Sequence, residues 1–409
     1  MTANNAAIVI VGAGHAGGRC AERLRHFGWR GRIVLIGDEP VAPYERPPLS
    51  KAVLCDESEP APSFIIDEDT IARLGIEYRP NAIVRSVWAK DRQIVLEDAT
   101  KLAYDKLVLA TGLTPRRLPL IDVLGEKVFY LHKLDEARAL RGAVVQGQEI
   151  LIVGAGFIGL EVAASATKLG ARVTVVETAP RALSRVLPAE ISASIVACHE
   201  KSGVRILCGR TIGKVTQAPE EIAVHLDDGT VIRPDIVIVG IGGVPNAVLA
   251  RSAGLALSNG IEVDADCRTS NPDIYAIGDI AAYLEPDGQR SRVESWMNAE
   301  ETAANAARSI CGEESAQRNV PLFWTDQYDR RFQIVGRFLP DAEIYFQGRP
   351  GEPGYLAYSV KNGRLTGAFG VDAARAVRKA QRAIGSGDAV THRELVDAGF
   401  STAVEPVDA

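Results

Sequence analysis

Six cysteines are spread over 409 residues, at positions 20, 55, 198, 208, 267 and 311, with no C-x-x-C pair and no metal-ligand clustering. That spacing excludes a dithiol redox motif and a cysteine-held metal, and free thiols in a reducing compartment are expected. Long apolar runs are also missing: no stretch approaches the ~20 residues of a membrane-spanning helix. The apolar run at 6–11 has no basic flank and continues into a glycine turn, so it reads as a first strand and not as a secretory signal. A cytoplasmic protein is expected. Positive charge is not in excess either. Lys and Arg number 46 against 52 Asp and Glu, and the resulting net charge of −6 argues against a general nucleic-acid binder. No short repeat or low-complexity segment is evident. What remains is an ordinary globular composition, 46% hydrophobic and 24% charged, in a chain long enough for two or three domains with their own cores.

One phrase occurs twice. Residues 8–17 read IVIVGAGHAG and residues 150–159 read ILIVGAGFIG. Each is a buried-type strand running into G-x-G-x-x-G, in which the first glycine makes a tight turn, the second admits a pyrophosphate, and the third lets helix pack on strand. The candidate contacts are Gly12, Gly14, Ala16 and Gly17 in the first copy and Gly154, Gly156, Ile158 and Gly159 in the second. A single such loop is weak evidence, whereas two, each followed by a helical pattern and a second strand, are strong. Two dinucleotides in one chain suggest a flavin exchanging electrons with a nicotinamide.

The first unit reads as strand 8–11, helix 15–27 and strand 33–36. Asp38 follows, 38 − 17 = 21 residues past the third glycine, the usual distance for a carboxylate on a ribose hydroxyl. Glu39 competes with it for that role. The second unit repeats the plan with strand 149–153, helix 157–169 and strand 172–176, then Glu177, at 177 − 159 = 18. A carboxylate there accepts from both ribose hydroxyls and repels a 2′-phosphate, favouring NADH over NADPH, although Arg172 and Arg181 are near in sequence. Past the polar stretch 312–319 the pattern changes. Strands at 355–360 and 364–370 flank Lys361-Asn362-Gly363, a hairpin signal, and a helix is predicted over 373–385. On that helix Arg375, Arg378, Lys379 and Arg382 fall at i, i+3, i+4 and i+7 with no acid among them, and Arg330 and Arg331 add charge in the same region. Such a face can steer an acidic partner.

Two more strand ends converge with the glycine loops: Tyr104 to Gly112 ending in A-T-G, and Asn271 to Asp279 ending in G-D. Together they resemble the two-dinucleotide-domain flavoprotein disulfide reductases, in which the G-D aspartate, matched by Asp279 beside Gly278, binds the FAD ribityl chain. Where those enzymes carry a redox cysteine pair, this chain reads Arg46-Pro47-Pro48-Leu49-Ser50-Lys51. That segment resembles the FAD-dependent NAD(P)H:ferredoxin reductases of bacterial oxygenase systems, of the putidaredoxin-reductase and biphenyl-dioxygenase-reductase type. The likeness covers essentially the whole chain. It includes Gly159-Leu160-Glu161, the run from Val239 to Gly242 with Pro245-Asn246, Glu294 to Ala299, and Phe323 to Tyr328. One departure stands out: Glu301-Thr302-Ala303 replaces the Gln-Gly that often follows Asn-Ala in the family.

The resemblance implies an α/β protein of glutathione-reductase-like architecture. Two Rossmann-like domains are expected, FAD-binding at 1–111 and 241–320 and NAD-binding at 112–240, with a C-terminal α+β domain at 321–409. It implies hydride transfer from NADH to FAD and release of single electrons to a 2Fe–2S ferredoxin serving an oxygenase. Lys51 is implied beside the flavin, where a cation favours the reduced ring, paired with Glu161, which the spacing puts in the first turn of the second nucleotide helix. Trp296 is implied near the isoalloxazine or on the electron exit path. Arg46, Thr111, Gly112, Arg116 and Gly242 are further cofactor candidates, with Arg116 either on the FAD phosphates or simply at the surface. His15 reads as a helix-start side chain. The six cysteines, Cys55 included, are expected to be inert. An alternative is the apoptosis-inducing-factor branch, a redox-sensing flavoprotein class with the same fold and Lys–Glu pair, whose members usually carry targeting segments or insertions. An NADH oxidase or peroxidase is disfavoured by the missing cysteine.

Overall fold

The computed structural model describes residues 6–56, 58–218, 221–285 and 288–403. The chain divides into two compact units, each assembled from three separate stretches: 1–46, 61–114 and 243–321 in one, and 47–60, 115–242 and 322–409 in the other.

The first unit is built on a five-stranded parallel sheet, in the order Ile274–Ala276, Lys106–Leu109, Ala7–Val11, Arg32–Ile36, Glu77–Arg79. The near-continuous Val/Ile/Leu strands suit a sheet covered on both faces, and Ile8 to Ile10, Val34, Leu35 and Leu107 to Leu109 are fully buried. Helix His15–His26 packs against helix Trp296–Cys311. The small residues of the latter, Ala303, Ala306 and Ala307, are completely enclosed. A three-stranded antiparallel sheet and a small four-stranded one complete this unit.

The second unit repeats the parallel plan in the order Arg205–Cys208, Arg172–Glu177, Glu149–Val153, Ile236–Val239, Val128–Phe129. Its crossover helix Phe157–Lys168 is buried nearly all round, from Gly159 to Ala166. The reason is that this helix lies under the sheet and is also met by the short helix Ala52–Cys55 and the C-terminal strand Leu322–Gln327. The C-terminal part is a five-stranded antiparallel sheet, Leu322–Gln327, Arg330–Gly336, Arg364–Val371, Leu356–Lys361, Glu343–Gln347, carrying helix Ala374–Ser386. Its Phe332, Phe346, Tyr355 and Phe369 share one apolar cluster with Ile150, Ile152, Leu160 and Val175 of the nucleotide sheet. The hairpin forms where Asn-Gly stands: Asn362 and Gly363 take φ of 53° and 69°, the left-handed pair a type I′ turn requires.

Both nucleotide units follow their expected elements to within a residue. Glu161 does not. It is the fifth residue of its helix, in the second turn, with no acid in the first. The helix dipole is therefore not its main support, because that effect fades beyond the first turn. Among the described residues no helix is long and apolar enough to cross a membrane.

Candidate functional site

In the first glycine loop, Gly12 has φ +109°, and a Cβ on it would lie 2.2 Å from the Ala110 carbonyl oxygen. A Cβ on Gly17 would lie 1.8 Å from the oxygen of Gly12. The middle glycine, Gly14, faces open space with only an Arg46 nitrogen near, at 3.7 Å. The second loop is built alike: Cβ atoms on Gly154 and Gly159 would strike Gly240 and Gly154 oxygens at 2.5 and 2.1 Å, whereas Gly156 has nothing within 4 Å. Each loop is thus tight where helix meets strand and hollow at the helix N-terminus, the shape a pyrophosphate needs.

Around the first loop the structure gathers most of the expected FAD residues. Ala16 packs on Gly278, so close that a Cβ there would sit 2.9 Å away. The Gly278 amide donates to the Thr302 hydroxyl, 2.9 Å, which itself donates to the Asn298 carbonyl. Thr302, part of the departure from the family pattern, therefore ties helix Trp296–Cys311 to the G-D turn. Asp279 lies half-buried; Arg292 donates to its main-chain carbonyl at 2.7 Å, while its carboxyl accepts no hydrogen bond from the described residues. Burial, with Glu294 adding to it, pushes its carboxyl up to about 7 despite Arg292 and Arg46. A carboxyl held in this way waits for hydroxyl donors, and ribityl hydroxyls fit it. Glu39 accepts from the Tyr44 hydroxyl at 2.7 Å and pairs with Arg46 at 3.1 Å, while Asp38 is exposed. Thr111 and Asn246 exchange two 2.9 Å bonds, bracing the A-T-G strand end that leads into Gly112.

Trp296 begins its helix and is half-buried, not a core residue. Its indole donates to Glu45 at 3.1 Å, and the His15 ring meets it edge-on at 5.0 Å. His15 in turn bonds Glu300 at 2.8 Å, alongside Arg19 at 2.7 Å. Burial alone would raise Glu300, but its bonds from His15 and Arg19 outweigh that and hold it below the usual carboxylate range.

In the second unit, Lys51 and Glu161 meet as an ion pair at 2.8 Å, with Glu161 only 3% exposed. The carboxylate also accepts from the Ser50 hydroxyl and, at 2.6 Å, from the Thr325 hydroxyl. Lys51 Nζ gives a further bond to the Pro47 carbonyl at 3.1 Å, and Arg141 holds the Val53 and Asp56 carbonyls of the turn that follows. Removing one partner from a buried pair of this kind costs about 3–5 kcal/mol. Glu177 ends its strand as expected and accepts from the amides of Ala155, inside the glycine loop, and Ala179, both at 2.8 Å. Arg172 stands at the opposite end of that strand, on Glu149, so it does not reach this position. Arg181 donates to the Ser184 carbonyl. Ile158 is exposed on the loop, and Gly242, at φ +94°, accepts from the Arg116 amide. The Arg116 side chain is exposed and forms no bond among the described residues.

One expectation about the basic face needs correction. Arg330 and Arg331 do not extend it as free charges, because Asp329 and Asp326 pair with them. Ser50 and Thr325, given no role from the sequence, are direct partners of Glu161. Both lay inside quoted motifs, but nothing local shows what they touch. All six cysteines are free, and burial raises the thiols of Cys20 and Cys267, the latter to about 12.

Residues 6–303 match the pyridine nucleotide-disulphide oxidoreductase family and residues 322–403 the reductase C-terminal family. The chain belongs to the pyridine nucleotide-disulphide oxidoreductases. It is 38% identical, over 92% of its length and 96% of the relative's, to the 3-phenylpropionate/cinnamic acid dioxygenase ferredoxin–NAD(+) reductase component of Photorhabdus laumondii. It is 36% identical, over 95% and 96%, to the anthranilate 1,2-dioxygenase system ferredoxin–NAD(+) reductase component of Burkholderia cepacia. Among solved structures it is similar to putidaredoxin reductase in its covalent complex with putidaredoxin, with a TM-score of 0.92, 34% identity and 96% of each chain covered. The ferredoxin reductase for the CYP199A2 system of Rhodopseudomonas palustris gives 0.92 and 35%, over 97% of this chain and 99% of that one.

Proposed function

We propose that the protein is an NADH:ferredoxin oxidoreductase that uses FAD to carry electrons from NADH to a 2Fe–2S ferredoxin serving an oxygenase, a Rieske dioxygenase or a cytochrome P450. The observation that carries this reading is the Lys51–Glu161 ion pair, whose lysine belongs to the segment Arg46–Lys51 that has no cysteine pair. FAD, when bound, accepts a hydride and gives up electrons one at a time, so the protein needs to supply position and electrostatics and no dithiol.

Under this reading Gly12, Gly14, Ala16 and Gly17 hold the FAD pyrophosphate with Arg46 beside them. The ribose goes to Glu39 in preference to the exposed Asp38, and Asp279 takes the ribityl hydroxyls. Thr111 and Gly112 line the strand end, and Trp296 is kept in one orientation by Glu45 and His15. Gly154, Gly156, Ile158 and Gly159 receive NADH, with Glu177 on its ribose and Gly242 at the neighbouring strand end. Lys51 favours negative charge on the flavin ring, and Glu161 orients Lys51. We keep the division into an FAD domain at 1–111 and 241–320, an NAD domain at 112–240 and a C-terminal domain at 321–409. The ferredoxin is assigned to helix Ala374–Ser386, whose Arg375, Arg378, Lys379 and Arg382 are all exposed and have no ion-pair partner among the described residues. A cytoplasmic location suits six free thiols.

The test is NADH-driven cytochrome c reduction by the yellow, FAD-loaded protein with and without added ferredoxin. Strong stimulation by a 2Fe–2S ferredoxin is expected. Rapid reduction of oxygen or peroxide that ferredoxin leaves unchanged would refute the assignment.

A further inference from the structure

Glu161 is the end of a longer line of hydrogen bonds. Thr325 Oγ1 lies 2.6 Å from Glu161 Oε1 and 3.0 Å from Gln327 Nε2. Gln327 Oε1 lies 2.8 Å from His199 Nε2, and His199 Nδ1 lies 2.9 Å from the Tyr328 hydroxyl. Thr325 and His199 are wholly enclosed, and Gln327 nearly so. Thr325, Gln327 and Tyr328 come from the end of strand Leu322–Gln327 and the turn after it. His199 comes from helix Ala189–Lys201. Tyr328 holds φ +55°, an uncommon conformation for a tyrosine, and its ring meets the imidazole edge-on.

Donor and acceptor roles along this line follow from its end. A carboxylate only accepts, so Thr325 donates to Glu161. Its oxygen then accepts from Gln327, which turns the amide nitrogen towards Thr325 and the amide oxygen towards His199. His199 therefore carries its hydrogen on Nε2, and Nδ1 accepts from Tyr328. Every hydrogen points towards Glu161. Burial supports this by pushing the imidazole down to about 4, which keeps it neutral, and by pushing the Tyr328 hydroxyl up to about 12, which keeps its proton available.

We propose that Thr325, Gln327 and His199 are positioning residues for Lys51: their one-way hydrogen-bond line fixes the Glu161 carboxylate, and the carboxylate fixes the lysine. The consequence for electron transfer rests on the function proposed above. Without the Thr325 hydrogen, Oε1 keeps Lys51 as its only described partner and can rotate about the Ser50 bond. The ammonium would then no longer be held to one place.

Two measurements on the FAD-loaded protein test this. Imidazole nitrogen NMR on selectively labelled protein should show His199 as the Nε2–H tautomer, unchanged between about pH 5 and pH 9. The Nδ1–H tautomer would overturn the proposal. Thr325→Val and Gln327→Met keep the volume and cut the line. Each should slow flavin reduction by NADH about tenfold, since small displacements of a positioned group are costly, and each should lower the flavin potential. Thr325→Ser should restore both. Variants that lose melting temperature while rate and potential stay put would show a purely structural line and overturn the proposal. If NADH failed to reduce even the unmutated protein, the proposed function would fall, while the tautomer and the potentials would still decide this point.

Discussion

The two glycine loops share a backbone design and differ in what surrounds them. Arg46 stands over the first, Glu39 and Tyr44 tie that arginine down, and Thr302 and Gly278 close in from the other side. The second is bare. A Cβ on Gly156 would meet nothing within 4 Å, Ile158 is exposed, and Glu177 accepts from the Ala155 amide inside the loop. Under the proposed function, a nucleotide in the first loop would meet a cation and closer walls than one in the second, as suits a cofactor that stays beside a substrate that comes and goes.

The largest effects should come from breaking one loop at a time. Gly17→Ala drives a methyl into the Gly12 carbonyl, overpacking that costs on the order of 1–3 kcal/mol or more. Purified protein should lose most of its FAD, read as flavin absorbance per chain. Gly159→Ala makes the same clash in the other loop, and that protein should stay yellow but fail to bind NADH. Loss of FAD in both variants would erase the distinction.

Lys51→Met comes next. It keeps the apolar stem and removes the charge, leaving Glu161 buried without its cation. Flavin reduction in stopped flow should slow roughly 10- to 100-fold, a loss of about 1–3 kcal/mol, with a lower flavin potential. An unchanged potential would make the pair structural.

Much of this was legible in the chain, and what was not has a physical reason. The strand–glycine–helix phrases and the Asn-Gly turn are local, since backbone geometry and packing period write them into neighbouring residues. Glu177 at the strand end followed from the same period. The partners of Glu161 were hidden because they lie far off in sequence: Ser50 is 111 residues away and Thr325 is 164. Helical spacing showed a basic face but could not show that Asp329 and Asp326 neutralise Arg330 and Arg331. Asp38 matched the usual interval, but spacing could not show that the neighbouring Glu39 is met by Tyr44 and Arg46.

Glu177→Ala should have a smaller effect. NADH should outperform NADPH in kcat/KM by about tenfold or more in the unmutated protein, some 1.4 kcal/mol, and the variant should narrow that gap without touching FAD content. Equal use of both nucleotides before mutation would refute the role.

The smallest effect is a pH trend in the flavin-free protein. Burial raises the Asp279 carboxyl to about 7, so as pH climbs from about 4 the unfolded chain gives up that proton before the folded one does. Stability from this group is present below the unfolded value and lost as pH rises through about 7. Asp279→Asn should flatten the fall in melting temperature between about pH 5 and pH 8 while weakening FAD binding. An identical slope in both proteins would mean that the carboxyl is not held in this way.

The interleaving of the two units also governs how the chain comes off the ribosome. The first parallel sheet begins with residues 7–11 but gains its edge strand only at Ile274–Ala276. At about 5–20 residues per second, strand Lys106–Leu109 therefore waits roughly ten to thirty seconds with one edge unpaired. Leu107, Val108 and Leu109, buried in the finished protein, have no neighbour on that side during the wait, and an open apolar edge invites pairing with other chains. Expression yield should thus depend on translation speed and chaperone supply across residues 110–276, a demand that a chain with contiguous domains would not make.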